Sequence, residues 1–579
     1  MATIKEIYDY MDMLGMMTQS DLPLFSTLRR NQAMEAVKQA GEMEHLLRSH
    51  PSAVLVTFIN EPVCIRPNKD PNSKYSRRYA LKGHRHLYRD ELEAFFEAAR
   101  KMIYIENPDR VIKNVEGDYD PPTANGMPDF HTYTMWYSNH PIPVARLAKG
   151  YIPPVKPGWM IGCGEYGAEG LDNVELMKKT YPEEWLKLNE KGEWYPTEIV
   201  RAQTNAMHGD WYKEQNSMQD WVRESQIHQA DATRIMTDAF RRRSDYIGHT
   251  AIHLLIDAWP AGWMKTLVSC DRIPKLAYYA YEDSLTPYRL NLYCDRSYVY
   301  AKETIPVEVW LLNDTQEDRS GKVVASISVD GKVCNSYSME VSVDAAYSVC
   351  SGKIPVVIPN VDKKSTVSVD AVLYDEEGKA VYAEKYKFTA YPNKEAKDIK
   401  VASIGARAQK IAVLYGYEQS DVKDADTVIV STIEENKETV ENLLSEGRNV
   451  VVITPDVEQV SFDIDDLHIE TKKGPKVYFA AVADGLKDYS INRLYSAVSD
   501  YREFAARKYI LGAEGSELIY TYGKSGVDGA KAPKVHFPLV KKYNHGKGSL
   551  YVISLVLDGK LGFNPNLDEF IMDCIEQNI

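Results

Sequence analysis

Between residue 1 and about residue 285, near-continuous apolar segments alternate with amphipathic ones, and this rhythm restricts the fold more than any other feature. "IKEIYDYMDMLG" puts Ile4, Ile7, Tyr8, Met11 and Leu14 at helical spacing and stops at Gly15. An extended piece from Met16 to Asp21 follows, then the long helix "RRNQAMEAVKQAGEMEHLLRSH", then a buried strand from Ala53 to Ile59. The helix "RDELEAFFEAARKMIYIEN" and the strand "RVIKNVEG" repeat that order. "DFHTYTMWY" and "GWMIGCGEYG" read as two more strand ends, and a helix-rich stretch over about 170–247 precedes "HTAIHLLIDAW". Strands this apolar need cover, which predicts a parallel sheet wrapped by helices. The polar residues gather just past the strands, on the rim where α/β barrels carry their sites.

"RIPKLAYYAYEDSLTP" predicts a short helix ended near Pro287, and the texture then changes. Short alternating runs such as "IPVEVWLLND" and "KVVASISVDG", broken by Asp-Gly and Glu-Gly turns, predict an antiparallel β-sandwich over about 290–392. After the polar linker "AYPNKEAKD", strand–helix alternation returns from about 400 to 579. At 579 residues the chain exceeds a single core, and length alone predicts about three to four domains.

A formal charge of -14 argues against nucleic acid or an anionic membrane as the main partner. The 39 Tyr and 9 Trp supply flat amphipathic rings, which suit a sugar-binding cleft as well as a core. The seven cysteines are scattered and form no CxxC pair, which reads as reduced thiols rather than a disulfide framework or a zinc site. The first residues mix Lys and acids into an amphipathic pattern unlike a signal peptide, and no run reaches the ~18 apolar residues of a membrane span. A cytoplasmic protein without metal or cofactor is expected.

Two carboxylates share one placement. Glu61 follows the strand "AVLVTFIN", and Glu165 ends "GWMIGCGE". Paired carboxylates at the mouth of one barrel suit glycoside cleavage, one acting as acid and base while the other attacks the anomeric carbon. Taken alone, such a pair is more often two exposed acids at strand ends.

The segments around them carry a resemblance. "RSHPSAVLVTFINEP" resembles the acid/base segment of glycoside hydrolase family 2, the β-galactosidase, β-glucuronidase and β-mannosidase group, where an HPS or HPA turn leads into strand four and Asn-Glu ends it. "IGCGEYG" resembles the family's nucleophile segment at the end of strand seven. "LLIDAWPAGWMKTLVSCDRIPKLAYYAYEDSLTP" resembles its strand-eight exit, on the mannosidase and exo-glucosaminidase side. The resemblance implies Glu61 as general acid/base, Glu165 as nucleophile and Asn60 as the partner of the sugar 2-hydroxyl. It implies Trp259 as a wall of the sugar pocket and His131, Tyr133, Trp136 and Tyr137 as pocket residues, with Tyr133 or Tyr137 holding the nucleophile. Taken alone, each of these aromatics is more often core than sugar platform. Asp257 is left to bind a sugar hydroxyl or to orient a neighbour. Val56 and Thr57 stand where the family often has Trp-Ser, and Ile59 where a small residue is usual, departures that bear on the sugar more than on the chemistry.

Implied for the whole is an incomplete (β/α)8 barrel over residues 1–288 comprising strands three to eight, an Ig-like sandwich over 289–393, and a flavodoxin- or glutamine-amidotransferase-like α/β domain over 400–579. The family's N-terminal sandwich domains and first two barrel strands have no counterpart here. A six-stranded open barrel exposes two parallel edges and an apolar interior, so a second polypeptide is expected to supply the missing parts. The C-terminal domain has no G-x-C-x-G elbow and reads as non-catalytic. "GKSGVDGAK" lacks phosphate-loop spacing, "GHRH" at 83–86 reads as polar loop, and "FRRRSDY" at 240–246 as a solvated helix face. The expectation is a retaining exo-β-glycosidase acting on a carbohydrate or glycoside, with a non-catalytic carbohydrate-binding or scaffolding subunit as the alternative.

Overall fold

Apolar strands followed by amphipathic helices do form the expected parallel pairs. The computed structural model describes residues 4–62, 86–117, 123–136, 142, 144–152, 156–202, 211–260, 264–474, 480–486, 489, 506–522 and 536–579. These divide into two compact units: Met1–Tyr133, Tyr151–Tyr166 and Arg243–His253 in the first, and Thr134–Gly150, Gly167–Arg242 and Leu254–Ile579 in the second.

In the first unit, helix α1 (Lys5–Leu14) ends where Gly15 turns left-handed at φ 66°, its N–H reaching the carbonyls of Asp12 and Met11. Strands β1 (Thr18–Asp21), β2 (Ala53–Asn60) and β3 (Val111–Glu116) form a parallel sheet in that order, linked by α2 (Ala33–Leu47) and α3 (Arg89–Glu106). Most of β2 is buried, and Phe58 packs against Phe95 and Phe96 of α3 at ring separations of 6.1 and 6.2 Å. Strands β4 (Ile161–Tyr166) and β5 (Ile247–Ile252) are parallel to each other. Asp129 and Thr132 make parallel bridges to Gly162 and Tyr166, so the segment they belong to runs alongside β4. Among the described residues β1 pairs with β2 alone and β5 with β4 alone.

In the second unit, α4 (Met218–Arg241) starts at Ser217, whose hydroxyl accepts the Asp220 N–H, and packs against α5 (Leu276–Ser284). The expectation of a solvated face at "FRRRSDY" is wrong for Arg241 and Arg242. Arg241 donates to the carbonyls of Ser284 and Thr286 and pairs with Asp314 at 2.9 Å. Arg242 is buried, donates to Asn291 Oδ1 at 2.6 Å and to the Ala148 carbonyl, and lies over the Tyr293 ring. A planar guanidinium satisfies several carbonyls at once, which is why two arginines replace apolar cover at the end of this helix.

The sandwich comprises strands β6 (Tyr288–Tyr293), β7 (Tyr298–Tyr300), β8 (Thr304–Asn313), β9 (Arg319–Val329), β10 (Lys332–Val343), β11 (Tyr347–Val357), β12 (Ser365–Asp375) and β13 (Ala380–Tyr391). They form sheets ordered β10-β9-β12-β13-β7 and β11-β8-β6. Alternate residues such as Val307, Val309 and Leu311 face Val367, Val369 and Ala371 in one buried core. Beyond it, β14 (Lys400–Ile404), β15 (Glu418–Gln419), β16 (Thr427–Val430), β17 (Asn449–Ile453), β18 (Ala481–Val482), β19 (Ser516–Tyr522), β20 (His536–His545) and β21 (Gly548–Ile553) build one sheet, ordered β15-β14-β16-β17-β21-β20-β19-β18. The strands from β15 to β21 in that order are parallel, and the last three are antiparallel. Cys574 is buried in the final helix, Pro565–Ile575, and burial pushes its thiol well above the usual range. The six cysteines among the described residues are free thiols, and none of the described helices is long and apolar enough to cross a membrane. "GKSGVDGAK" and most of "GHRH" lie outside the described residues.

Candidate active site

The polar groups of the first unit converge at the C-terminal ends of its strands. β2 is tied on both sides as it ends: the Asn60 N–H donates to the Leu24 carbonyl at 3.0 Å, and the Glu61 N–H to the Glu116 carbonyl at 2.8 Å. Glu61 takes a left-handed backbone conformation, φ 43°, which a side chain of its kind adopts only at a cost of about 1 kcal/mol or more. That turn leaves its side chain 46% exposed at the end of the strand.

Glu165 projects from β4 and is mostly buried. The Tyr133 hydroxyl donates to its Oε2, and Asn60 Nδ2 lies 3.5 Å from its Oε1. His131 joins the two acids: its Nδ1 is 3.0 Å from Glu61 Oε1 and 3.5 Å from Glu165 Oε2. One oxygen of each carboxylate and a ring nitrogen of His131 lie within 4.8 Å of one another. The buried Oδ1 of Asn60 has no hydrogen-bond partner among the described residues. His253 follows β5 and stands edge-on to Tyr133, its Nε2 3.9 Å from Glu165 Oε2.

Beneath these residues lies a buried ionic cluster. Lys113 Nζ of β3 contacts Asp129 Oδ2 at 2.7 Å, Glu116 Oε2 at 2.5 Å and His249 Nε2 at 3.0 Å. Gln19 Nε2 of β1 donates to Glu116 at 2.6 Å and to Asp21 at 2.9 Å. Asp129 Oδ1 accepts the N–H groups of Gly117 and Gly164 at 2.9 and 3.2 Å. Glycine on β4 makes room for this cluster, since a Cβ at Gly164 would fall 1.3 Å from Glu116 Oε1.

Burial disfavours charge on every member, and the neighbours decide the outcome. Burial opposes the charge of Asp129, yet Lys113, His131 and His249 hold it down at about 2. Lys113 is likewise desolvated but is held above its ordinary value by Asp129 and Glu116. His249 is pushed down to about 4 by burial and by Lys113, so it is neutral. Burial and the charge of Glu116 raise Asp21. For His131, burial is outweighed by the pull of Glu116, the bond to Glu61 and the charges of Glu165 and Asp129, which raise it to about 10. A protonated ring donates to these acids; only in its neutral form could it join Glu61 and Glu165, or Glu116 and Asp129, in coordinating a metal ion.

Of the residues expected from the sequence, the structure brings together Asn60, Glu61, His131, Tyr133 and Glu165. Trp136, Asp257 and Trp259 belong to the second unit: Trp136 is buried under Lys265 Nζ at 3.9 Å, Asp257 is buried and accepts from Thr266 at 2.9 Å, and Trp259 is 62% exposed. Tyr137 lies outside the described residues, so between the two tyrosines the contact with Glu165 is described for Tyr133 alone. Sequence reasoning missed Gln19, Asp21, Lys113, Glu116, Asp129, His249 and His253. The signal was a Lys and a Glu inside the strand "RVIKNVEG", where a covered strand has no place for lone charges.

A cavity of ≈ 840 Å³ opens between β1 and β5, lined by Gln19, Asp21, Asn60, Glu116, Glu165 and His249 among others.

Residues 306–394 match the family model of the Mannosidase Ig/CBM-like domain. The sandwich is therefore a domain of the mannosidase kind, in agreement with the resemblance to glycoside hydrolase family 2. No curated protein matches the chain by sequence. Among solved structures, the chain is similar to the β-D-mannosidase of Dictyoglomus thermophilum, with 17% identity and a TM-score of 0.49 over 84% of this chain and 50% of that one. It is similar to the exo-chitosanase CsxA of Amycolatopsis orientalis, with 14% identity and a TM-score of 0.43 over 67% and 44%. A β-glucuronidase of Bacteroides uniformis follows, with 14% identity and a TM-score of 0.32 over 70% and 42%. The chain thus spans about half the length of the solved chains it matches.

Proposed function

We propose that the chain is part of a family 2-like retaining exo-β-glycosidase that removes terminal β-linked sugars by double displacement. The observation that carries this reading is the close pair Glu61 and Glu165, with oxygens within 4.8 Å, at the ends of β2 and β4. That separation suits the ~5–5.5 Å of retaining enzymes and leaves no room for the water that inverting enzymes place between acids about 6.5–9.5 Å apart. Glu165 attacks the anomeric carbon while Glu61 gives its proton to the leaving oxygen. Glu61 then takes a proton from the water that releases the sugar. The Tyr133 hydroxyl orients Glu165, and the unpartnered Oδ1 of Asn60 is available to the sugar 2-hydroxyl.

The six parallel segments are read as strands three to eight of a (β/α)8 barrel. A second polypeptide supplies the first two strands and the N-terminal sandwich domains. Two observations support this: β1 and β5 each lack a partner on one side among the described residues, and the cavity lies between those edges. Helix α1 precedes β1 as α2 and α3 precede β2 and β3. Its Ile4, Tyr10, Met13 and Leu14 are exposed, an apolar face for a neighbour. The segments 1–288, 289–393 and 400–579 serve as barrel, sandwich and a flavodoxin-like, non-catalytic domain, in a cytoplasmic protein. The alternative, a carbohydrate-binding or scaffolding subunit without catalysis, draws on the open cavity.

The test is treatment with activated 2-deoxy-2-fluoro-β-glycosyl fluorides of manno, gluco and glucuronic configuration, followed by peptide mass mapping. Covalent sugar on Glu165 is expected. No label in the native complex favours the non-catalytic subunit, and an active monomer of these 579 residues on native mass measurement refutes the second polypeptide.

A further inference from the structure

The ring of His131 is almost fully enclosed, and four acids crowd it. Glu61 and Glu165 lie at 3.0 and 3.5 Å from Nδ1, and Asp129 and Glu116 at 3.7 and 3.8 Å from Nε2. The buried Nε2 has no hydrogen-bond partner among the described residues, so the ring is held there by charge rather than by a bonded acceptor. Two carboxylates this close repel, and without a cation between them one would keep its proton. Among the described residues, the other charged or titratable groups near this ring are Lys113 of β3, Asp21 of β1, Tyr133 on its own segment, and His249 and His253 at β5. Lys113 is committed to Asp129 and Glu116, and His249 to Lys113. Among the described residues, His131 is a cation in contact with both acids of the site.

We propose that His131 is a positioning residue whose imidazolium clamps Glu61 and Glu165 as two ionised carboxylates in the empty site, so that productive glycoside binding is coupled to uptake of the proton Glu61 must donate. The proposal rests on the glycosidase reading of the pair. In the resting site the charges are one imidazolium and two carboxylates. Binding adds one proton from solvent to Glu61. In the first step the Glu165 oxygen bonds the anomeric carbon, the glycosidic bond breaks, and the Glu61 proton leaves with the aglycone oxygen. In the second, water bonds the anomeric carbon, the Glu165 ester breaks, and the water proton passes to Glu61. Loss of that proton to solvent restores the clamp, so every atom and charge returns to its starting place. The assignment moves His131 from sugar contact to control of the pair's protonation.

Two measurements test it. The first is ¹⁵N NMR of histidine-labelled protein, with the His131 signals identified by their loss in His131→Gln. His131 is expected to stay doubly protonated through pH 9, and Glu116→Gln to lower its midpoint. An ordinary titration between pH 6 and 7 overturns the clamp. The second is the pH profile of inactivation and hydrolysis by whichever fluoro-sugar and matching aryl glycoside label Glu165. Removing a cation at this distance in His131→Gln should move both limbs of the profile up by about one to three pH units. A profile that only loses height, with its limbs in place, assigns His131 a merely structural or sugar-binding role and overturns the proposal. Absence of labelling in the wild type instead overturns the glycosidase reading, while the NMR titration still decides the charge of His131.

Discussion

Gly164 is the tightest point of the site, and alanine there makes a sharp test of how the interior is built. The Gly164 φ is not in the left-handed region, so alanine meets no backbone penalty. The new Cβ would lie 1.3 Å from Glu116 Oε1 and 2.3 Å from its Cδ. A carboxylate at the end of a flexible chain normally swings aside at little cost. Here it is buried and pinned by Lys113 at 2.5 Å and Gln19 at 2.6 Å. Displacing it breaks a buried ion pair and leaves Lys113 with Asp129 and neutral His249, in the range of about 3–5 kcal/mol for losing one partner of such a pair. Gly164→Ala should therefore destabilise the protein by about that amount in urea unfolding. In a Glu116→Ala background the clash and the pair are both gone, so the same substitution should cost under about 1 kcal/mol. An equal cost in both backgrounds would refute the claim that Glu116 is what the glycine accommodates.

Tyr133→Phe removes the hydroxyl that donates to Glu165, and a lost bond to a charged group of about 1.5–3 kcal/mol predicts a ten- to hundredfold fall in kcat/KM with folding intact by circular dichroism. Glu61→Ala should slow hydrolysis of an alkyl glycoside by about 10²–10⁴-fold and that of a dinitrophenyl glycoside far less; equal losses would remove Glu61 from the acid role. Arg110→Ala strands the buried Glu44, which Arg110 binds at 2.8 and 2.9 Å, and should cost about 3–5 kcal/mol in urea unfolding. His131 is raised to about 10 in the folded protein, so its stabilisation is complete below the ordinary histidine range near 6.5 and is lost as pH climbs through about 10. Unfolding midpoints should fall across that window in the wild type and stay flatter in His131→Gln.

The extended segments and the two carboxylates were legible because each follows from local pattern: apolar runs close on an acid, and only a rim position makes that placement reasonable. Tyr133 and Asn60 were legible through the company they keep in the chain. The buried cluster was not, because nothing local to "RVIKNVEG" says that Lys113 meets an aspartate sixteen residues on and a histidine from the last strand. Those contacts depend on register between strands, which the alternation of residue types does not encode. Arg241 and Arg242 were misread for a related reason. A charge run at a helix end is usually solvated, and only the folded neighbourhood reveals carbonyls that take up the guanidinium groups. The compact units also interleave along the chain, whereas changes of texture mark only linear boundaries.

The left-handed backbone at Glu61 bears on how this protein would respond to selection for heat resistance. Asparagine or glycine at that position would relieve the strain, so a screen that rewards survival alone will be drawn to residue 61. On the proposed glycosidase reading, the survivors would be tougher molecules with no proton to give. Thermal endurance and turnover are opposed there at a single residue, and any search for hardier variants has to hold it constant.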